Sequence, residues 1–545
     1  MSIKTVCWQY TGSFIRESNT FMTYIIEKLI LNALKLRRGW QQDLAGFIAR
    51  ELRTDVKNIA DYEIISSSTD SRRGTPKLLL KVRIETHSPV SAHSPASDEE
   101  LAALRTPFPE LPQTTLLHPI VIGTGPAGIS AAYLLALAGC RPIILDRGEA
   151  VENRLEDYQN FLTSRKLNEE SNLLIGEGGA GTFSDGKLYT GTKDWRGRFL
   201  KELWVQCGAP KEILYQSRPH IGSDILPQVC ADLRKKIIEK GGEFRFKANV
   251  TELLIKSGRC CGVKLSSGEI IEAPAVIFAP GLGGRELVRQ VCKSAAWEFK
   301  FFQTGCRIEH PQSIIDRAMY HLPQRPSALG AAEYHIVSRA EVGNVSSFCM
   351  CPGGTVVNAS AWENRSITNG MSCFERAGEF ANSCLITTVA PAVYGSETEL
   401  FNRIEALEKA IFEHGGKDYT FPAQDAAAFL AGKAGLQNLK NSCHTGIVSG
   451  RLDQILPDFV TLPLKTAVKN FDRKIPGFLK YGKLIGAESL VSSPIRLLRD
   501  SVTMENPQLP GLFPAGEGCG LAGGIVSAGC DGMRVAEAVI RSCSR

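Results

Sequence analysis

HPIVIGTGPAGISAAYLLALAGCRPIILDRG, residues His118 to Gly148, is the stretch that decides how this chain folds. Pro119 to Ile122 is a short apolar run of the length expected for a buried parallel strand. Gly123, Gly125 and Gly128 follow it as G-x-G-x-x-G. The first glycine serves the tight turn, the second the close approach of a pyrophosphate, and the third the packing of helix on strand. Pro126 and Ala127 sit between them and are cofactor candidates with them, and an Ala- and Leu-rich helix is expected from Ile129 to Ala138. The first amides of such a helix carry partial positive charge and hold a diphosphate without a lysine. A second apolar run, Pro142 to Leu145, ends in Asp146, eighteen residues after Gly128. A carboxylate there accepts ribose hydroxyls, which favours FAD or NAD over a 2′-phosphorylated nucleotide.

An isolated G-x-G-x-x-G is weak evidence in a chain with 51 glycines. Here strand, glycines, helix, strand and acid come in the required order. Arg147 and Gly148 extend the unit to L-D-R-G, which resembles the L-E-R-G ending of the same unit in two-dinucleotide-domain flavoproteins and points to FAD.

The chain has 545 residues, enough for several domains with a large core. It carries 63 basic and 57 acidic residues, and a net charge of +6 is too mild for a dedicated nucleic-acid binder. Sixteen scattered cysteines, among them the vicinal Cys260 and Cys261, read as thiols of a reducing compartment. The first 21 residues contain no continuous apolar core, with Arg16 and Glu17 interrupting them, so no secretory signal is read. No transmembrane segment is expected either, and the expected location is cytoplasmic. A short organellar presequence stays open, as does a true start at Met22.

Residues 23 to 87 read as a small α/β module in the order β-α-β-β: an apolar stretch from Tyr24 to Leu36, a helical pattern from Gln41 to Leu52, and strands at Asp61 to Ser67 and Leu78 to Glu85. The basic turn Ser71 to Lys77 between its last strands suits a phosphate or an RNA backbone, with a solvated hairpin tip as the plainer reading. A proline-, serine- and threonine-rich linker covers residues 88–117. The FAD-binding domain then runs over 118–299 and returns over 486–545, with an inserted α+β substrate domain between, over 300–485.

Within the first part, Ile175 to Leu188 (IGEGGAGTFSDGKL) lets backbone press against a flat ring or phosphates, which makes Gly178, Gly179, Gly181 and Thr182 cofactor candidates. A helix from Ile225 to Gly241 and a meander of short strands with Ser-Gly turns lead to the strand Ala275 to Gly281. In that arrangement Val250 takes the adenine-contact position, and Pro280 and Gly281 approach the dinucleotide. At the other end, GLFPAGEGCG from Gly511 delivers Gly516 and Glu517 toward the ribityl or diphosphate region. Gly524 and Ile525 open a helix whose N-terminal amides face the flavin ring and stabilise its reduced anion.

With both ends in view, the chain resembles the glutathione-reductase-type flavoproteins. Within them it is similar to a family known as uncharacterised FAD-dependent dehydrogenases. The resemblance spans residues 40 to 541 and rests on STDSRR (68–73), GTGPAGISAA (123–132), GEGGAGTFSDGKL (176–188), HIGSD (220–224), FCMCPGG (348–354), NGMS (369–372), SSPIRLLRD (492–500) and GLFPAGEGCGLAGGIVSAGCDG (511–532). It implies an α/β, Rossmann-like FAD domain, and Asp146 in place of the commoner glutamate leaves ribose binding intact.

A disulfide reductase of this type needs a C-x-x-C or C-x-x-x-x-C pair. Cys349-Met350-Cys351 is a poor spacing for an intrachain disulfide, so these read as packed thiols. Cys443-His444 and the dispersed histidines give no metal-ligand spacing, so no metal is expected. No second complete nucleotide unit follows, which leaves NAD(P) only a transient role as reductant. The expected activity is hydride transfer between flavin and a small-molecule substrate, with a possible electron-transfer partner. His220, His444 and Arg496 are the candidates for polarising a carbonyl or relaying a proton. An RNA-associated flavoprotein using the N-terminal module is the alternative, although no nucleic-acid partner is expected from the charge.

Overall fold

The structure, a computed structural model, describes residues 21–543 apart from 73, 105–110, 112–117, 192, 394 and 438. The chain divides into two compact units, one comprising the N-terminal residues through Pro109 with Lys211–Pro219 and Pro326–Gly330, the other the remainder.

In the first unit, strands Met22–Asn32, Lys77–Thr86 and Ile59–Asp70 form an antiparallel sheet with Lys77–Thr86 in the middle. The first strand buries Tyr24 and Ile26, then Leu29 and Leu31, and a register shift between Ile26 and Leu29 re-phases the alternation so that both pairs face inward. Leu78, Leu80, Val82 and Ile84 do the same without a bulge. Helix Leu44–Leu52 covers this face with Leu44, Ile48 and Leu52, one side of a helix at i, i+4 and i+8. Met22 opens the first strand, while residues 1–20 lie outside the described residues. At the hairpin tip Arg72 pairs with Asp70 at 2.9 Å, and Arg73 lies outside the described residues.

Two expected boundaries shift. Lys211–Pro219 belongs with this unit because Ser67 exchanges backbone hydrogen bonds with Tyr215 and Ser217, at 2.7 and 2.8 Å. The stretch expected as a linker contains a helix, Asp98–Ala103, whose capping box links Ser97 and Glu100.

The second unit is built on a five-stranded parallel sheet, ordered Leu512–Pro514, Val276–Phe278, Ile120–Ile122, Ile143–Leu145, Glu243–Arg245. In chain order that is 5-4-1-2-3, so the strand order reverses between Ile120–Ile122 and Val276–Phe278, where ligands of open α/β sheets bind. Ile120, Ile122, Val276, Phe278 and Leu512 pack against an antiparallel meander, Val250–Lys256, Arg259–Leu265 and Ile270–Glu272. Helices Pro126–Leu137 and Ile525–Cys543 pack tightly on each other, and a side chain at Gly532 would strike the Ala127 carbonyl at 1.9 Å. The first of them is buried on nearly every side, which its uniformly apolar sequence allows.

Between the fourth and fifth strands lies a seven-stranded mixed sheet, ordered Val337–Ser338, Val345–Cys351, Phe380–Val389, Phe302–Pro311, Lys483–Glu488, Phe421–Asp425, Ile447–Ser449. Its central strand Phe302–Pro311 is covered on both faces. The last strand runs to Glu488, past the expected boundary at 485. The chain enters and leaves this region side by side, through a ladder of Trp297–Phe299 on Ile495–Leu497. No helix among the described residues is long and apolar enough to cross a membrane, and no cluster of metal-ligating side chains occurs among them.

Candidate functional site

The glycines of the opening motif divide into two kinds. A Cβ on Gly123 would lie 2.3 Å from the Ala279 carbonyl oxygen, and one on Gly128 only 1.9 Å from that of Gly123, so both are needed for strand and helix to meet. Gly125 is different. It caps the N-terminus of helix Pro126–Leu137, and a Cβ there meets no protein atom within 4 Å. That leaves room at the N-terminus of a helix, the kind of space a diphosphate requires.

Segments distant in sequence converge on this point. Gly179 approaches Gly125 so that its Cβ would lie 3.3 Å from the Gly125 Cα, and Gly181 stands as close to Ile525 and Pro126. Gly516 abuts Ala127, with its amide held by Asp531 at 2.9 Å. Gly281 and Gly524 both have open Cβ directions. Arg154, fully buried, braces the glycine loop from behind by donating to the carbonyls of Asn172, Glu177 and Gly179. Burial brings its guanidinium down to about 10, and it stays charged at neutral pH. Glu177 beside it accepts from the Val151 amide and from Arg234, yet burial pushes its carboxyl up to about 7.

Several candidates take other roles. Asp146 is buried and ties the loop together, accepting from the Thr124 amide and hydroxyl through one oxygen and from the Gly148 amide, at 2.8 Å, through the other. Its hold on ribose is limited to the lone pairs these bonds leave. Replacing it by alanine frees two loop amides and the Thr124 hydroxyl. Each charged hydrogen bond contributes about 1.5–3 kcal/mol, so FAD affinity should fall by about one to two decades in fluorescence titration. Unchanged affinity would show that the loop holds its shape without the carboxylate. Arg147 turns away to Glu170 and the Glu169 carbonyl. The Val250 side chain lies in the core under the meander. Thr182 packs inside the loop on the Glu177 carbonyl and Cys230. Pro280 packs against Gly284, and Glu517 is turned toward the Ser493 amide, its carboxyl pushed up by burial with Lys300 opposing.

The glycine loop does not end at the cradle. Asp185 to Lys187 runs antiparallel to His220 to Gly222, and there it enters a buried polar cluster of the inserted region. Lys187 Nζ donates to Asp185 at 2.5 Å and to the Met350 carbonyl. Arg376 grips both oxygens of Asp185 and stands 3.7 Å from Glu333. Against the cost of burial, Lys187 and then Arg376 hold the Asp185 carboxyl well below the usual range, and Asp185 in turn raises Lys187. Arg307, wholly buried on the central strand, donates to Glu488 at 2.6 and 2.9 Å, to Asn382 at 2.7 Å and to Asn369 at 3.3 Å. His220 is 8 % exposed and its Nε2 lies 2.9 Å from the Phe374 carbonyl. A carbonyl only accepts, so Nε2 carries the proton and Nδ1 the lone pair, which has no partner among the described residues. Burial first, then Arg376, push this imidazole below its ordinary value and keep it neutral.

Of the three catalytic candidates only His220 reaches this cluster. His444 is exposed on a loop. Arg496 alternates outward between the buried Ile495 and Leu497 and pairs with Glu298 at 2.9 Å, both side chains about half exposed. The cations that do converge are Lys187, Arg307 and Arg376. Lys187 and Asp185 lie inside a motif already noted in the sequence, whereas Arg307 and Arg376 carried no such signal. The motifs meet in space: Ser223 donates to the Ser372 carbonyl, Asp224 accepts from the Phe374 amide, and Ser372 Oγ donates to the Pro352 carbonyl.

A dinucleotide cradle at the sheet's switch point, joined by one loop to a buried polar cluster, defines an α/β flavoprotein. Residues 301–490 match the domain family described as FAD-dependent protein, C-terminal domain-like, and the cofactor is FAD. The chain is 35% identical over 513 residues to an uncharacterized protein of Clostridium beijerinckii, covering 90% of this chain and 95% of that one. It belongs to the same family as that protein. Among solved structures, a geranylgeranyl bacteriochlorophyll reductase-like protein of Thermoplasma acidophilum aligns at 14% identity and a TM-score of 0.33, over 79% of this chain and 80% of that one. L-proline dehydrogenase of P. horikoshii aligns at 12% and 0.34, over 79% and 95%. No functional conclusion follows from likenesses this distant.

Proposed function

We propose that the protein is an FAD-dependent oxidoreductase, with an FAD domain of the glutathione-reductase type, that moves hydride between the flavin and a small molecule held by the inserted region. The observation that carries this reading is the loop Gly176 to Leu188, whose glycines line the cradle while its Asp185 and Lys187 lie in the cluster of Arg307, Arg376 and His220. FAD supplies two-electron chemistry when bound. The chain's part is to orient the substrate and handle its proton. An ammonium has three N–H donors, and Lys187 spends one on Asp185 and one on Met350, leaving one for a substrate oxygen. His220 Nδ1 is the proton acceptor, because it is neutral, buried and unpartnered.

The test is an anaerobic screen of small acids, alcohols and carbonyl compounds that follows flavin absorbance. With an active substrate, the rate of reduction should fall on the acid side. The His220 value is lowered from 6.5, so the base stays unprotonated to more acid pH than a free histidine, and the fall should lie below pH 6.5. His220→Gln should remove that limb, and an unchanged profile would take His220 out of the proton transfer.

Electron supply gives a second check. Among the described residues only the glycines Gly123 to Gly128 open a helix that leads on to a parallel strand ending in an acid, Asp146, so NADH and NADPH should reduce the flavin slowly and without saturation at about millimolar concentration. Rapid reduction with a micromolar constant would place a nicotinamide site in the inserted region.

A further inference from the structure

Cys349 and Cys351 stand apart from the other thiols of the described chain. Cys207, Cys260, Cys306, Cys384, Cys443 and Cys519 are buried, and burial pushes each of them up, as suits inert packing. Cys349 is only half-buried and sits beside the exposed ring of Phe348. The strand Val345–Cys351 is bulged there, since Phe348 pairs with Cys384 and Cys351 with Asn382, so three steps on one strand face two on the other. Cys349 takes the left-handed conformation, φ 44°, which a cysteine rarely adopts. A regular strand would hold residues i and i+2 nearly two full rises apart, about 7 Å. The kink instead folds the segment back on itself, so that the Cys351 thiol donates to the Cys349 carbonyl at 3.3 Å.

Two cations face the pair, Arg307 fully buried and Lys187 largely so. Lys187 Nζ is bonded to the intervening Met350 carbonyl, and Arg307 Nη1 lies 3.4 Å from that of Cys349. The neighbouring Cys351 thiol, then Lys187 and Arg307, hold the Cys349 thiol well below the usual range against burial and Asp185, and Cys351 is displaced the other way. The two thiols are thus displaced in opposite directions, Cys349 toward the thiolate and Cys351 toward the thiol, the division of labour that thiol exchange uses.

We propose that Cys349 and Cys351 form a reversible dithiol–disulfide couple that exchanges electrons with small-molecule disulfides, Cys349 as the attacking sulfur and Cys351 as the resolving one. The Cys349 thiolate attacks a disulfide RSSR, its new S–S bond forming as the old one breaks and RS⁻ leaves. Cys351 then attacks the Cys349 sulfur, closing the protein disulfide and expelling the second RS⁻, which takes the Cys351 proton and departs as RSH. In sum, one thiolate and one thiol are oxidised to a disulfide while RSSR is reduced to RS⁻ and RSH. The reverse runs with a thiol in excess. Use of these electrons by the bound FAD rests on the function proposed above; the couple itself does not.

The FAD-loaded protein is equilibrated anaerobically in mixtures of reduced and oxidised glutathione, quenched in acid, unfolded, alkylated and mapped by peptide mass. Cys349 and Cys351 should pass together from two alkyl groups to none, losing two hydrogens, at a ratio where the buried cysteines are still fully alkylated. Cys351→Ser should trap glutathione on Cys349, and Cys349→Ser should trap none. Lys187→Met should slow that trapping about tenfold at neutral pH, in proportion to the thiolate lost. A pair still doubly alkylated in excess oxidised glutathione, or a Cys351→Ser protein that traps nothing, overturns the couple. Yellow protein with inert thiols removes the couple and leaves the flavin reading, whereas colourless folded protein that closes the disulfide removes the flavin reading and supports the couple.

Discussion

Gly125→Val should yield a folded, colourless protein. The residue sits at φ −64° and ψ 177°, a conformation open to any amino acid, and an added Cβ meets no described protein atom within 4 Å. Neither the backbone nor a Cβ at this site therefore strains the chain itself. Valine fills the space in front of the helix amides where the diphosphate must come close to backbone. Affinity for FAD should fall by at least about a thousandfold, equivalent to about 4 kcal/mol. The check is the flavin-to-protein absorbance ratio after gel filtration, with far-ultraviolet circular dichroism confirming the fold. Gly128→Val is the contrast, because its side chain would meet the Gly123 carbonyl at 1.9 Å and should unfold the helix–strand junction, not merely the ligand site. A Gly125→Val protein that keeps stoichiometric FAD would move the cofactor away from this helix.

The cradle was legible because each of its signals is local. G-x-G-x-x-G, the apolar strand ahead of it and the acid behind it all lie within about thirty residues of sequence, and the physics that reads them, turn geometry and helix-end charge, is local too. Asp146 was found for one reason and holds its place for another: it ties Thr124 to Gly148, a pairing invisible until the loop closes. The substrate side was much less legible. Arg307 and Glu488 are far apart in sequence and meet only because strands Phe302–Pro311 and Lys483–Glu488 are neighbours in the inserted sheet. Nothing about an arginine in an apolar strand announces its partner. Arg496 looked better by motif, yet the alternation of its short strand turns it to solvent. The Cys349-Met350-Cys351 spacing was read as one of packed thiols, and the bulge at which the pair sits follows from register with Phe380–Val389, not from the residues themselves.

Arg307→Met should be among the most destabilising single changes in the inserted region. The guanidinium is wholly buried and donates to Glu488, Asn382 and Asn369. Burial works against its charge, and Glu488 followed by the neighbouring thiols more than offsets that. Burial already pushes the Glu488 carboxyl up, with Arg307 the main opposing influence. Methionine replaces the volume of the stem but leaves Glu488 without its cation and Asn382 without its donor. Breaking a buried ion pair from one side costs about 3–5 kcal/mol, most of it the stranded charge. Denaturant midpoints, or inactivation rates if unfolding is irreversible, should register that loss. The double substitution Arg307→Met, Glu488→Gln removes both charges and should recover at least half of it, since the desolvation cost vanishes with them. If the single change costs under about 1 kcal/mol, the level of an exposed pair, the cluster admits water and the pairing drawn here is not what holds this part of the insert. If the double is worse than the single, Glu488 stabilises through Cys384 and its other neighbours and not through Arg307.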